Sequence, residues 1–193
     1  LAGWLGMDVD IVRKAVGDAG RSRPSDTTAD AGPPEQAASP DSGYARPNPR
    51  DPVVRTEALS LGVLLQAPGA ITADTEAARI LGQLTPDAYT VPQYRAIFEG
   101  VLAAGGPNGS AADWVGTVAE QVGETLAGAV SELAVTPLPH DRPERLGEYG
   151  RSVLARVLDL SLTRQIADAR GRMQRAGEGT DGYQQGFAAM VEL

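Results

Sequence analysis

The chain has one histidine and no cysteine, which limits the chemistry that its side chains can perform. His140 lies in the proline-rich stretch TPLPHDRP, and the sequence offers no second imidazole and no thiolate to share a metal ion with it. Residue counts alone leave a Ser-His-Asp triad open, but a histidine set among prolines is typical of an exposed turn. We therefore predict that His140 has no catalytic role.

Two further motifs resemble functional ones and are better explained by helix structure. Asp8 and Asp10 form a D-x-D pair of the kind that holds divalent cations, but this pair starts a short helix and has no other acidic cluster nearby, which favours helix capping. The glycine-rich stretch 103–110 lacks the preceding strand and the Lys-Ser/Thr of a phosphate-binding loop. We predict no catalytic residue, no metal site and no cofactor in this chain.

Arginines are concentrated near the end of the sequence. Within 164–177 there are four arginines and a single acid, Asp168. This run could bind phosphates or an acidic protein tail, but a solvated helix face is the simpler interpretation. The formal net charge of −8 argues against a protein that coats DNA, because phosphate binding requires a basic surface. Strong direct binding of nucleic acid is not expected.

Composition divides the chain into regions. Residues 1–20 are typical of one or two short amphipathic helices, with too little surface to fold alone. Residues 21–50 contain six prolines and one aromatic residue, which predicts a disordered linker. No apolar run approaches the roughly 18 to 20 residues needed to cross a bilayer, so we expect a soluble protein without a membrane span.

From residue 51 onward the apolar spacing is helical throughout. Asp51 and Pro52 are a cap and a first-turn proline for a helix that is predicted to end at 67–69. Further helices are predicted within 72–84, 91–106, 110–123 and 124–135, the second ending at a double glycine. This region, 51–142, is predicted to be a helical bundle. Its aromatic residues should share one small core: Tyr89, Tyr94, Phe98 and Trp114.

Residues 143–177 can form one helix about 50 Å long at 1.5 Å per residue. Its apolar stripe rotates near residues 153–158, and no Pro or Gly lies between Arg151 and Arg170, so we predict a continuous helix that passes from one packing partner to another. Apolar residues at helical spacing in 183–193 complete a hairpin with it. The fold class is therefore all-α: a bundle (51–142), then a long helix and a C-terminal helical hairpin (143–193).

Four segments, in this order and spacing, resemble a known family: EALSLGVLLQAPG, VPQYRAIFEGVLAAGG, ELAVTPLP and YGRSVLARVLDLSLTRQIADARGRMQR with the final hairpin. They are similar to the C-terminal helicase-binding domain of bacterial, particularly actinobacterial, DnaG-type DNA primases. The similarity covers residues 51–193. Residues 1–20 resemble the last helical elements of the primase RNA-polymerase domain.

The resemblance implies a docking role. The hairpin is expected to bind the N-terminal domains of the replicative helicase and so couple primer synthesis to the replication fork. The expected contacts are Leu162, Arg164, Ile166, Arg172, Met173, Arg175, Tyr183, Phe187 and Met190, the arginines as rim charges; the apolar residues could equally be core. The family also receives the acidic tail of single-stranded-DNA-binding protein, for which Arg50, Arg55 and Arg95 are the candidates here.

The resemblance also implies that the catalytic activity lies in other regions of the parent protein. Primer synthesis, with zinc and magnesium, is expected in other regions of a DNA-directed RNA polymerase that works in the bacterial cytoplasm, at the replication fork of the nucleoid. Residues 1–193 are expected to be non-catalytic. The alternatives are the N-terminal domain of a replicative helicase, which has a related bundle, or another helical module for nucleic-acid binding or oligomerisation.

Overall fold

The computed structural model describes residues 44–107, 111–140, 142–176 and 181–191. Eight α-helices and no strand occur within these ranges, which confirms the all-α prediction. They are α1 Pro52–Gln66, α2 Pro68–Ala73, α3 Thr75–Leu81, α4 Pro92–Ala103, α5 Ala111–Val122, α6 Glu124–Val135, α7 Pro143–Ala176 and α8 Asp181–Val191, with a 3₁₀ turn at Pro86–Ala88. Among the described helices, none combines the length and the apolar composition of a membrane-spanning segment.

Predicted caps and stops account for several helix ends. Asp51 Oδ1 accepts hydrogen bonds from Val53 N at 2.8 Å and Val54 N at 3.4 Å, as an N-cap aspartate should. At the end of α4, Gly105 and Gly106 have φ of 88° and 82°, which favours glycine and stops the helix. Ser110 directly precedes α5 and is a residue type favoured at an N-cap, but it lies outside the described residues.

The predicted stop after α1 is also the start of another helix. Ala67, with φ −134° and ψ 51°, ends α1 and precedes a six-residue helix with Pro68 in its first turn. The sequence interpretation placed only a turn here. Pro68 and Ile71 of this short helix are buried, so the segment packs against the core and is not a surface loop.

One hydrophobic core joins the bundle to the beginning of α7. The predicted aromatic cluster is confirmed: Tyr89, Tyr94, Phe98 and Trp114 are all buried in this core, and the rings of Tyr89 and Phe98 lie 4.8 Å apart. The Trp114 indole donates a hydrogen bond to the carbonyl of Leu64 at 2.9 Å, which satisfies its one polar atom.

The first half of α7 approaches the bundle closely because it carries glycines. Gly150 lies over Ile71, where an added Cβ would come within 2.2 Å of Ile71 Cδ1. Leu154 and Val157 follow on the same face and are buried in the bundle core. The boundary that we predicted at 142/143 coincides with the start of α7, and residues on both sides of it belong to the same core.

The second half of α7 packs against α8, so the predicted change of packing partner along one continuous helix is confirmed. Residues 44–50 have no regular secondary structure, and the Arg46 guanidinium lies 3.6 Å from the Glu132 carboxylate of α6. The predictions for residues 1–20 and for most of the 21–50 linker fall outside the described residues.

Candidate docking site on the helical hairpin

The hairpin of α7 and α8 is held together along small residues. Ala169 of α7 is fully buried, and Gly186 is the buried residue of α8. A Cβ added to Gly186 would lie 2.5 Å from Met173 Cγ and 3.4 Å from the carbonyl oxygen of Ala169. The two helices therefore meet backbone to backbone at this point, and Met173 packs over the glycine.

The apolar residues predicted on the hairpin fall into two sets. Tyr183 and Met190 flank Gly186 at helical spacing and are half-buried. Phe187 and Val191 lie one turn apart on the adjacent stripe of α8, and they are 52% and 69% exposed. We call Phe187 and Val191 the exposed stripe. It is an apolar surface that no other described part of the chain covers.

The partner helix contributes half-buried apolar residues and exposed charges. Leu162, Ile166 and Met173 are half-buried along the face of α7 that carries Ala169. Arg172 and Arg175 are exposed, and no ion pair of either is found within the described ranges. They are available as rim charges, as the sequence interpretation proposed.

Arg164 has a different environment from the other arginines of the run. Its side chain is directed at the bundle, where Nη2 donates hydrogen bonds to the backbone carbonyls of Ala88 and Asp87, the latter at 3.5 Å. This intramolecular contact makes Arg164 a connection between α7 and the 3₁₀ turn. The role of Arg164 as a rim charge stays a prediction, and sequence spacing does not reveal its bundle partner 76 residues away.

The three arginines predicted for an acidic tail lie near the start of the bundle and differ in their contacts. Arg50 and Arg55 are exposed. The Arg95 guanidinium lies 3.3 Å from the Asp87 carboxylate, both groups facing solvent. His140 is exposed, as predicted, and its ring meets the edge of Tyr149 at a centroid distance of 5.0 Å.

Sequence reasoning missed Gly186 because it sought large apolar residues. The signal that could have found it is a small residue on α8 opposite Ala169, which lies on the apolar stripe of α7. It also missed Glu57, which is 1% exposed and fixes the loop before α4. In the described part of the chain, no group of three or more His, Cys, Asp or Glu side chains could hold a metal ion.

Comparisons with known proteins agree with this geometry. A family model described as "DNA primase DnaG DnaB-binding" matches residues 57–184. DNA primase of Mycobacterium tuberculosis is 32% identical over 207 aligned positions, covering all of this chain and 31% of the relative. DNA primase of Streptomyces coelicolor is 30% identical, covering 91% of this chain and 29% of the relative. The chain thus spans about a third of the length of these curated relatives.

Among solved structures, the helicase binding domain of primase from Mycobacterium tuberculosis is similar to this chain, with a TM-score of 0.53 and 29% sequence identity. The similarity covers 72% of this chain and 84% of that one. Fold and sequence therefore point to one family, and they confirm the resemblance found in the sequence over the alternative of a helicase N-terminal domain. The chain belongs to the DnaB-binding domain family of DnaG DNA primases.

Proposed function

We propose that this chain docks its parent primase onto the replicative helicase and so couples primer synthesis to the replication fork. The observation that carries the proposal is the exposed stripe on a hairpin that extends from the bundle in a member of this family. In the proposal, RNA polymerisation and its zinc and magnesium belong to other regions of the parent, and docking needs no cofactor. The setting is the bacterial cytoplasm, at forks in the nucleoid.

The physical basis of docking is the burial of the stripe. A phenylalanine that is half exposed and projects from a rigid helix can enter a groove between partner helices at little cost in conformational entropy. Phe187 is the best anchor on the hairpin because aromatic residues dominate the energetics of protein interfaces. Arg172 and Arg175 lie on α7 near the tip of the hairpin, and their positive charges would attract an acidic surface of the partner.

Calorimetry of the whole chain with the N-terminal domain of the replicative helicase tests the proposal. We expect Phe187→Ala to weaken binding by about tenfold or more, which corresponds to the loss of an interface anchor of about 1.4 kcal/mol or more. Leu102→Ala is the matched control, because Leu102 is 44% exposed on α4 of the bundle. Absence of binding by the unaltered chain, or equal losses for both variants, would contradict the proposal.

A second partner in this proposal is the acidic tail of single-stranded-DNA-binding protein. Between Arg95 and Arg142 the sequence has six carboxylates and no Lys or Arg, so this part of the bundle repels such a tail. Arg50 and Arg55 lie at the start of the bundle and are exposed, which supports them as the site that binds the tail. Arg95 forms an ion pair with Asp87, and its guanidinium would have to leave that carboxylate to bind the tail.

Fluorescence anisotropy of a labelled tail peptide tests this second partner. We expect the double variant Arg50→Ala with Arg55→Ala to reduce affinity several-fold at about 0.1 M salt, where the Debye length is about 10 Å. Arg79→Ala is the control, since Arg79 is an exposed arginine of α3 that pairs with Glu76. Labelled single-stranded DNA in the same assay separates tail recognition from the alternative of a nucleic-acid-binding module, because such binding falls steeply with salt.

A further inference from the structure

The loop between α3 and α4 is held by buried side chains of α1. Tyr89, fully buried, shares a hydrogen bond of 3.1 Å with Ser60 of α1. Glu57 of α1 accepts hydrogen bonds from Thr90 N at 2.7 Å, Thr90 Oγ1 at 2.6 Å and Val91 N at 3.2 Å. We call residues 86–91, which include the 3₁₀ turn, the anchored loop. With its backbone tied to α1, this loop is a fixed point of the bundle.

The last carbonyls of the 3₁₀ turn are directed at α7. Within the turn, the amides of Ala88 and Tyr89 donate to the carbonyls of Thr85 and Pro86. The next two carbonyls, those of Asp87 and Ala88, lie at the end of the turn, where backbone oxygens commonly lack a partner in their own element. Arg164 Nη2 donates to both of them. A guanidinium suits this position because its donors are fixed in a planar fork and its charge strengthens each hydrogen bond.

Arg164 lies where α7 leaves the bundle. Val157 is 1% exposed in the bundle core, and Ala169 is buried at the contact with α8. Between them, Ser161 is 3% exposed and accepts a hydrogen bond from Gln165 at 3.1 Å. Arg164 therefore makes a direct hydrogen-bonded contact from the second half of α7 to a rigid part of the bundle.

Small changes in tilt at this point have large effects at the tip. Ala176 lies nineteen residues beyond Val157, a distance of about 28 Å at 1.5 Å per residue, so a tilt of about 10° about Val157 moves the tip by roughly 5 Å. A docking surface displaced by several ångströms cannot present its side chains to a partner in the same orientation.

We propose that Arg164 is a positioning residue, which fixes the direction of the hairpin relative to the bundle by binding the two carbonyls that end the 3₁₀ turn of the anchored loop. The exposed stripe needs no contact with Arg164 for this role. Helicase binding can therefore fail or succeed independently of the proposal, which concerns the geometry of the chain alone.

Distance measurements between two spin labels test the proposal directly. The chain has no cysteine, so Gln121→Cys on α5 and Gln184→Cys on α8, both exposed positions, introduce unique labelling sites. With Arg164 present we expect one narrow distance distribution. With Arg164→Ala we expect a distribution that is shifted by several ångströms or about twice as wide, following the lever arm of the helix.

Arg170→Ala is the matched control, because Arg170 is an exposed arginine on the same helix. Arg164→Lys keeps the positive charge but has a less directional donor. Its distance distribution should therefore be intermediate between those of the unaltered chain and Arg164→Ala. Both variants are first checked for unchanged helicity and cooperative melting. An unchanged distribution in Arg164→Ala overturns the proposal. Equal broadening by Arg170→Ala also overturns it, since the effect would then be a general loss of positive charge.

Discussion

At the scale of single residues, the buried carboxylate of Glu57 replaces the missing cap of another helix. Val91 precedes α4 and makes no side-chain cap, and Pro92 has no N–H to satisfy. Glu57 accepts from the backbone amides of Thr90 and Val91 and from the Thr90 hydroxyl, at the positive end of the α4 dipole. A charge that is 1% exposed is tolerated here because all three hydrogen bonds are present.

We predict that Glu57→Ala lowers the free energy of unfolding by roughly 3 kcal/mol, because it leaves buried donors without an acceptor. Glu57→Gln should cost about half as much, since one oxygen remains but the amide group opposes a donor. Urea denaturation followed by circular dichroism measures both. Glu99→Gln on the exposed face of α4 is the control and should change stability by less than about 0.5 kcal/mol. Equal effects at Glu57 and Glu99 would contradict this account.

Tyr89 makes the fold sensitive to high pH. Burial raises the pKa of the Tyr89 phenol far above its usual range, and it also raises the pKa of Tyr94 and Tyr149. Because the folded pKa lies above the unfolded value of about 10, the folded state holds its proton more tightly. The stability from these groups is complete below about pH 10 and is lost as pH rises through the folded pKa.

We therefore expect the free energy of unfolding to fall as the pH rises above about 10, by up to about 1.4 kcal/mol per pH unit for the fully buried Tyr89 phenol. Tyr89→Phe should cost about 1 kcal/mol at pH 8, where it loses the Ser60 hydrogen bond, and should make the alkaline decline shallower. Urea melts at several pH values measure this. A decline as steep in Tyr89→Phe as in the parent chain would assign the effect to other groups.

At the scale of elements, the contact between α7 and α8 depends on the absence of a side chain at Gly186. Alanine normally stabilises a helix relative to glycine by roughly 0.5–1 kcal/mol. At Gly128 of α6 nothing lies within 4 Å of an added Cβ, whereas at Gly186 the Cβ would meet Met173 Cγ at 2.5 Å. The same substitution should thus have opposite signs at these two positions.

We predict that Gly128→Ala raises the free energy of unfolding of the bundle by about 0.5–1 kcal/mol, seen as a higher urea midpoint. Gly186→Ala should instead loosen the hairpin, seen as faster hydrogen exchange of the α8 amides with little change in the bundle. Hydrogen exchange resolved by segment distinguishes the two. Unchanged or slower exchange of α8 in Gly186→Ala would show that Met173 moves aside without cost.

At the scale of the whole molecule, the sequence predicts helices well because local signals mark them. Asp51 and Pro52 mark the start of α1, and the double glycine marks the end of α4. The rotating apolar stripe predicted that α7 changes its packing partner along its length. The contacts that fix the bundle are different in kind. Glu57 with Thr90 and Arg164 with Ala88 join positions 33 and 76 residues apart, and no spacing rule identifies such partners. The tethered bundle and apolar hairpin already favoured docking, and the family resemblance added the expected partner, which spacing alone could not name.

The core itself crosses the boundary that composition suggested. From the sequence we drew a bundle at 51–142 and a long helix with a hairpin at 143–193, yet Leu154 and Val157 of α7 lie in the same buried cluster as the α1 leucines. Beyond Leu158, α7 contributes no residue to this cluster in the described ranges. The unit that should fold independently is therefore the bundle together with the first half of α7.

Truncations test this unit. A chain that ends at Arg170 retains the bundle core and Arg164, so its free energy of unfolding should change by less than about 1 kcal/mol. A chain that ends at Arg142 loses Leu154 and Val157 from the core, at roughly 2–5 kcal/mol for a buried leucine alone. Because whole domains are stable by only about 5–15 kcal/mol, we expect the shorter chain to lose cooperative unfolding.

Circular dichroism during heating and urea denaturation measures the difference between the two truncations. The chain ending at Arg170 serves as the control for truncation as such, since it also lacks α8 and the exposed stripe. If the chain ending at Arg142 melted cooperatively with the midpoint of the longer one, the first half of α7 would be an attachment to a complete bundle. If both lost cooperativity, the hairpin would be required for folding, because its contacts would then stabilise the bundle that it extends from.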